Sequence, residues 1–198
     1  MSKILVLVAA PPACGKTYVS ERIAKSAEHI VYLDKDDLAD LLRASFSVLG
    51  RPVDMDGAFY TDNLRPSEYS TIMNIAFSAL RFEEIVLVNA PFGKEVRDEK
   101  YMRELKDRAN QNGAQLFLIW VTASEEICHE RMIKRNSDRD IQKLENWDDY
   151  VKKIDFTPPF ELKEKGAVDE FIIFDNNSEE AINKSLDETM KLLKGKLK

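Results

Sequence analysis

The stretch Ile4-Leu5-Val6-Leu7-Val8-Ala9-Ala10-Pro11-Pro12-Ala13-Cys14-Gly15-Lys16-Thr17 decides how this chain is read. Its first six residues form an apolar run rich in branched side chains, the pattern of a strand buried on both faces. Beyond Lys16 the apolar positions become Val19, Ile23, Ala24 and Ala27, a helical period. The loop between them has the spacing of a phosphate-binding P-loop, with Ala10 standing where such loops begin with glycine. A turn of this kind aims consecutive backbone N–H groups at a polyphosphate. Pro12, Ala13, Cys14 and Gly15 form the cradle, and Gly15 permits close backbone approach. Lys16 reaches the β and γ phosphates, and the Thr17 hydroxyl is available to Mg²⁺. The Ala10 methyl fits only if that residue keeps a negative φ. Cys14 lies near a helix N-terminus, which favours a thiolate, so it is either a small tolerated residue or a redox-sensitive one.

Outward from this loop, apolar runs and amphipathic stretches alternate. Further strands are expected at 30–33, 85–88, 116–121 and 171–174, and helices at about 38–46, 67–82, 94–111, 125–135, 144–154 and 179–193. Strands too apolar to alternate, separated by helices, imply a parallel sheet covered on both faces. Ligands of such sheets bind beyond the carboxyl ends of the strands. The chain of 198 residues is expected to be a single domain over 1–198, with a lid at about 131–168.

Charge and composition narrow the function. The chain has 29 Lys and Arg against 35 Asp and Glu, a formal net charge of −6, which excludes an extended nucleic-acid surface held by bulk charge but not a local basic pocket. Two cysteines and two histidines make neither a disulfide framework nor a zinc cluster, which suits a reducing compartment. The apolar run after Lys3 imitates a short signal peptide, but prolines sit where cleavage would fall and Gly15-Lys16-Thr17 gives it another meaning. A cytoplasmic protein with no membrane partner is expected.

Two polar constellations follow the strands. Asp34, Asp36 and Asp37 lie just past the second strand and ahead of a helix. One of them is expected to cap that helix. Another can accept a proton from an acceptor hydroxyl near the γ phosphate, Asp36 first and Asp34 as the alternative. Arg131, Arg135 and Arg139 recur at helical spacing, so on one helix their guanidiniums would form a stripe able to close over a transferring phosphoryl group.

With these residues in place, the chain resembles the P-loop kinase group that includes adenylate-kinase-like, gluconate-kinase-like, polynucleotide-kinase-like and zeta-toxin-like proteins. It looks most like small bacterial "AAA family ATPase" proteins of kinase type. The likeness rests on APPACGKT at 10–17, LDKDDL at 33–38, Glu68-Tyr69, VNAPF at 88–92, ERMIKRNSDRD at 130–140, KLENWDDY at 143–150 and FDNNSEE at 174–180. It implies a five-stranded parallel sheet in the order 2-3-1-4-5, and ATP with Mg²⁺ as phosphoryl donor. It further implies that Asp36 faces the acceptor, that the lid arginines hold phosphate, and that Asn176 and Asn177 lie against the adenine. One departure stands out: the third strand ends in Asn89 where such proteins usually carry an aspartate that orients Mg²⁺ or its water. An amide still accepts from a metal-bound water but carries no charge. Arg65 stands where acceptors bind in this group, either reading an anionic acceptor or serving as a surface charge. The leading expectation is a kinase acting on a small-molecule hydroxyl. The alternatives are a polynucleotide 5′-hydroxyl or toxin-like kinase, and a nucleotide-binding regulatory module with weak ATPase activity. The sequence leaves the acceptor and the oligomeric state open.

Overall fold

The computed structural model describes residues 3–137 and 140–197. Its core is a five-stranded parallel sheet: β1 (Lys3–Ala9), β2 (Ile30–Asp34), β3 (Ile85–Asn89), β4 (Ala114–Thr122) and β5 (Glu170–Asp175), ordered β2-β3-β1-β4-β5. This is the order the resemblance to the P-loop kinase group implies. Helices α1 (Lys16–Ser26), α2 (Ala39–Val48), α3 (Arg65–Ala79), α4 (Glu99–Gln111), α5 (Glu125–Arg135), α6 (Ile141–Glu145), α7 (Trp147–Val151), α8 (Glu161–Glu164) and α9 (Glu179–Lys196) surround it.

Strand β1 shows why both faces need cover. Leu5, Leu7 and Ala9 point to one side, against Tyr69, Ile72, Met73, Ala76 and Phe77 of α3 and Met102, Leu105 and Ala109 of α4. Ile4, Val6 and Val8 point to the other, against Val19 and Ile23 of α1 and Ile182 and Leu193 of α9. The period-2 geometry of a strand therefore feeds two cores from one apolar run. Each large apolar side chain so buried contributes about 1.5–3 kcal/mol.

Caps fix the helix starts. Asp98 accepts from Tyr101 N at 3.0 Å, Ser124 from Ile127 N at 3.4 Å and Ser178 from Ala181 N at 3.1 Å. Asn136, in the left-handed region at φ 46°, ends α5. The expected stripe through 144–154 is instead two short helices, because the backbone at Asn146 (φ −127°, ψ 45°) leaves helical geometry between them. Of the three arginines expected on one stripe, Arg131 and Arg135 share α5, which ends at Asn136, and Arg139 lies outside the described residues. Among the described residues, no helix is long and apolar enough to cross a membrane.

What positions chemistry is the shared carboxyl edge. The last strand residues are Ala9, Asp34, Asn89, Thr122 and Asp175, and the register sets Asp34 beside Asn89 and Asn89 beside Val8.

Candidate functional site

The loop after β1 is a tight turn, with Cys14 N donating to Pro11 O at 3.4 Å. Ala13 (φ 62°) and Gly15 (φ 83°) both adopt left-handed backbone. Ala10 is not among the positive-φ residues, so the condition its methyl imposes is met. A Cβ at Gly15 would run into the Asn176 side chain, so glycine is required there for space as well as for φ. Helix α1 begins at Lys16 with no side-chain cap and no acid in its first turn. Its first amides thus remain open to an anion, and the helix dipole adds to the attraction.

Side chains converge on Asn89. Its Oδ1 accepts from Lys16 Nζ and, at 3.2 Å, from Ser20 Oγ. Its Nδ2 lies 3.1 Å from Thr17 Oγ1, 3.1 Å from the Tyr32 hydroxyl and 2.5 Å from Asp34 Oδ2. Tyr32 donates to the same Asp34 oxygen at 2.8 Å. Asn89 is fully buried, so its side chain is the hub that ties the P-loop lysine and threonine to the carboxylate ending β2. Burial lowers the Lys16 ammonium from its ordinary 10.5 to about 8, while Asp34 and Asp36 pull it back upward. Burial, with Asp34 next to it, pushes the Tyr32 hydroxyl well above its usual range.

The three aspartates separate by role. Asp34 is the cap: its Oδ1 accepts from Asp36 N at 2.9 Å, fixing the 3-10 turn Lys35–Leu38. Asp36 and Asp37 are exposed at the cleft edge. Between them and the core, buried Lys35 bonds Glu68 Oε1 at 2.8 Å and approaches Asp36 Oδ1 at 3.2 Å. Glu68 also accepts from the Tyr60 hydroxyl in the π-helical turn Tyr60–Leu64. Arg65 makes a bidentate pair with Glu95 at 2.6 and 2.8 Å and lies over the Tyr69 ring. Both cations on this side are therefore already matched by largely buried carboxylates.

On the other side, Arg131 holds main-chain carbonyls and Arg135 holds a carboxylate. Arg131 donates through Nη1 to Cys14 O at 3.2 Å and through Nη2 to Asn176 O at 2.9 Å. Asn176 Nδ2 donates to Cys14 O at 2.6 Å, while its buried Oδ1 has no partner among the described residues. Asn177 Oδ1 accepts from Ser124 N at 2.7 Å, joining the loop after β5 to the start of α5. Arg135 pairs with buried Asp140 at 2.6–2.8 Å. Pro12 is exposed at the tip of the loop and Ala13 half-buried beside it. Lys143 reaches Asp56 at 3.7 Å, linking the segment after α5 to the loop before α3.

Several of these partners escape a reading of the sequence. Ser20 and Tyr32 carry a usable signal: Ser20 is one helical turn from Lys16, and Tyr32 shares the strand face of Asp34. Glu95 has none, because its partner lies 30 residues away.

The lysine–threonine pair, the open helix N-terminus and the neighbouring carboxylates meet at one place, with an oxygen-rich wall. The donors fit a hard cation, since the Thr17 hydroxyl and Asp34 carboxylate are oxygens and Mg²⁺ completes its shell with water and phosphate. Residues 5–157 match a family model described as AAA domain. No curated protein matches the chain in sequence. Among solved structures, a "putative kinase" from Chloroflexus aurantiacus J-10-fl aligns over 98% of both chains, at 17% identity and a TM-score of 0.64. Shikimate kinase from Bacteroides thetaiotaomicron aligns over 96% of this chain and 98% of its own, at 14% identity and 0.54. A gluconokinase from Sinorhizobium meliloti 1021 covers 97% and 94%, at 17% identity and 0.51. At such identities these likenesses show the fold.

Proposed function

The chain belongs to the AAA domain family, and from that premise we propose that it transfers the γ-phosphoryl group of ATP to a hydroxyl of a small molecule in the cytoplasm. The observation carrying this reading is the convergence of Lys16, Thr17 and Asp34 on Asn89 at the carboxyl edge of the sheet. ATP bound with Mg²⁺ supplies the activated phosphoryl group and much of the charge neutralisation its transfer requires.

The protein's own groups do the rest. The amides of Ala13 and of Gly15 to Thr17 bind phosphate oxygens, and Lys16 leaves Asn89 Oδ1 to do the same. Thr17 Oγ1 and Asp34 are the oxygens that would hold the metal and its waters, so Asp34 supplies the charge that Asn89 lacks. Asp36, exposed and next to Lys35, takes the proton of the acceptor hydroxyl. Arg131 is a positioning residue, since both its Nη groups hold main-chain carbonyls. Arg135, on exchanging Asp140 for phosphate, and Arg139 close over the transferring group. Asn176 and Asn177 shape the wall against the base.

The pairing of Arg65 with Glu95 and of Lys35 with Glu68 supports an uncharged or amine-bearing alcohol over a carboxylate- or phosphate-bearing one. A screen of ATP consumption over nucleosides, sugars, sugar acids, antibiotics and 5′-hydroxyl oligonucleotides tests the reading. Neutral or amine-bearing alcohols should yield phosphorylated product. Lys16→Ala should abolish nucleotide binding, whereas Asp36→Asn should keep it and lose transfer. ATP binding without product from any alcohol would instead support a nucleotide-binding regulatory module.

A further inference from the structure

Two thiols from distant parts of the chain meet beside the phosphate loop. Cys14 Sγ lies 3.4 Å from Cys128 Sγ, and both residues are fully buried. The meeting is built from both sides. Cys14 O is held by Arg131 Nη1 at 3.2 Å and Asn176 Nδ2 at 2.6 Å. Arg131 lies one helical turn beyond Cys128, so α5 grips the same loop residue with both side chains. Neither sulfur has a part in the proposed phosphoryl transfer.

From this juxtaposition we infer that Cys14 and Cys128 are a modification site: hydrogen peroxide joins them in an intramolecular disulfide that withdraws the phosphate loop from nucleotide binding. The cross-link stands on the geometry alone, and only its effect on binding rests on the function proposed above.

The chemistry balances. The Cys128 thiolate attacks one peroxide oxygen, the O–O bond breaks, and the departing hydroxide takes a proton to leave as water. The resulting sulfenic acid is attacked by Cys14 sulfur, which loses its proton as the second oxygen leaves as water. Two thiols are oxidised to one disulfide, and one peroxide is reduced to two waters. Cys128 is the better starting thiolate. The hydrogen bond from Cys14 and the Arg131 charge hold it below the ordinary thiol range against the effect of burial. Cys14 is pushed well up by its bond to Cys128 and by burial.

A disulfide requires the sulfurs to close from contact to about 2 Å. That draws the Cys14 main chain toward α5. The loop has little slack to absorb the movement, because Ala13 and Gly15 on either side are both in left-handed backbone, at φ 62° and 83°. The amides that must face phosphate lose their aim. Losing one or two charge-assisted hydrogen bonds should weaken nucleotide binding about tenfold or more. In a reducing compartment such a bond is transient, which suits a signal better than a permanent staple.

The test uses the full chain, reduced and then exposed to hydrogen peroxide. Peptide mass mapping and a free-thiol count after unfolding read the bond. Calorimetric titration with a non-hydrolysable ATP analogue and Mg²⁺ reads the affinity. The expected result is a Cys14–Cys128 cross-linked peptide, no free thiol, weakened binding, and recovery with dithiothreitol. Cys128→Ala should bind the analogue normally when reduced and keep that affinity after peroxide. Two free thiols after treatment, or a sulfinate without a cross-link, overturns the inference. So does an equal loss of affinity in Cys128→Ala. A reduced chain that binds no analogue would sink the P-loop reading and the binding effect with it, while the mapped peptide still decides the cross-link.

Discussion

Lys16 is the residue where function and stability pull apart. Its ammonium is lowered to about 8 because it is buried, against 10.5 when free. The unfolded chain thus binds more protons than the folded one between those values, and this group's contribution to stability rises with pH across that window. Below about 8 both states are protonated, and burying the charge costs roughly 3 kcal/mol. Lys16→Met should therefore raise the melting temperature of the unliganded protein while removing nucleotide binding. Phosphate oxygens favour the charged form, so nucleotide binding near pH 8 should take up a proton. Affinity should fall as pH rises through about 8, which calorimetry in buffers of different ionisation enthalpy would resolve. Gly15→Ala should abolish binding and destabilise by about 1–3 kcal/mol, since its methyl meets the Asn176 side chain in a backbone region that disfavours it. The motif residues were legible in the sequence because a P-loop is local: eight consecutive positions carry its turn, its charge and its hydroxyl. The lysine's partner was legible only in part. Asn89 could be marked as the residue ending the third strand, but its use as a hub between Lys16 and Asp34 depends on strand register.

At the level of elements, the site is held by pairs that bridge them. Glu95 ties the turn after β3 to the first residue of α3 through Arg65. Glu95→Ala should destabilise the protein by about 3–5 kcal/mol, because it strands a largely buried arginine. Denaturant unfolding at neutral pH measures it. Between β2 and β3, Asp34 and Asn89 are register neighbours with Oδ2 and Nδ2 2.5 Å apart. Asn89→Asp would set two carboxylates there, one of which resists ionisation. The variant should be less stable than the parent by about 1–2 kcal/mol in EDTA and should regain that stability in Mg²⁺. Strands were readable from their apolar runs, as was the helix from 125 to 135. The pair of short helices after Asp140 was not: one apolar stripe suits a continuous helix and a broken one equally, and the break at Asn146 is a backbone torsion rather than a composition. Of the arginine stripe, Arg131 and Arg135 share α5 as their spacing suggests, and Arg139 lies outside the described residues.

Over the whole molecule, a nucleotide that binds only the folded state should stabilise it by mass action, about 2.7 kcal/mol at a hundredfold excess over Kd. That corresponds to a rise of roughly 5–10 °C in melting temperature for a chain of this size, and thermal unfolding with and without MgATP would show it. No shift with any nucleoside triphosphate would count against the proposed function. Alternation of strands and helices made the parallel sheet legible, and the resemblance to P-loop kinases supplied its order. The acceptor side was not legible, because its character comes from which charges neutralise each other across the cleft, and those partners lie far apart in sequence. One consequence follows for handling the protein. All five carboxyl strand ends sit on a single edge, so the opposite edge, where Phe82 and Gly113 turn the chain, lies away from the site. Strand β1 spans seven residues, roughly 20 Å, between the two edges. A fluorophore or surface tether placed at Asn112 would therefore report on or immobilise the molecule without crowding the mouth of the cleft.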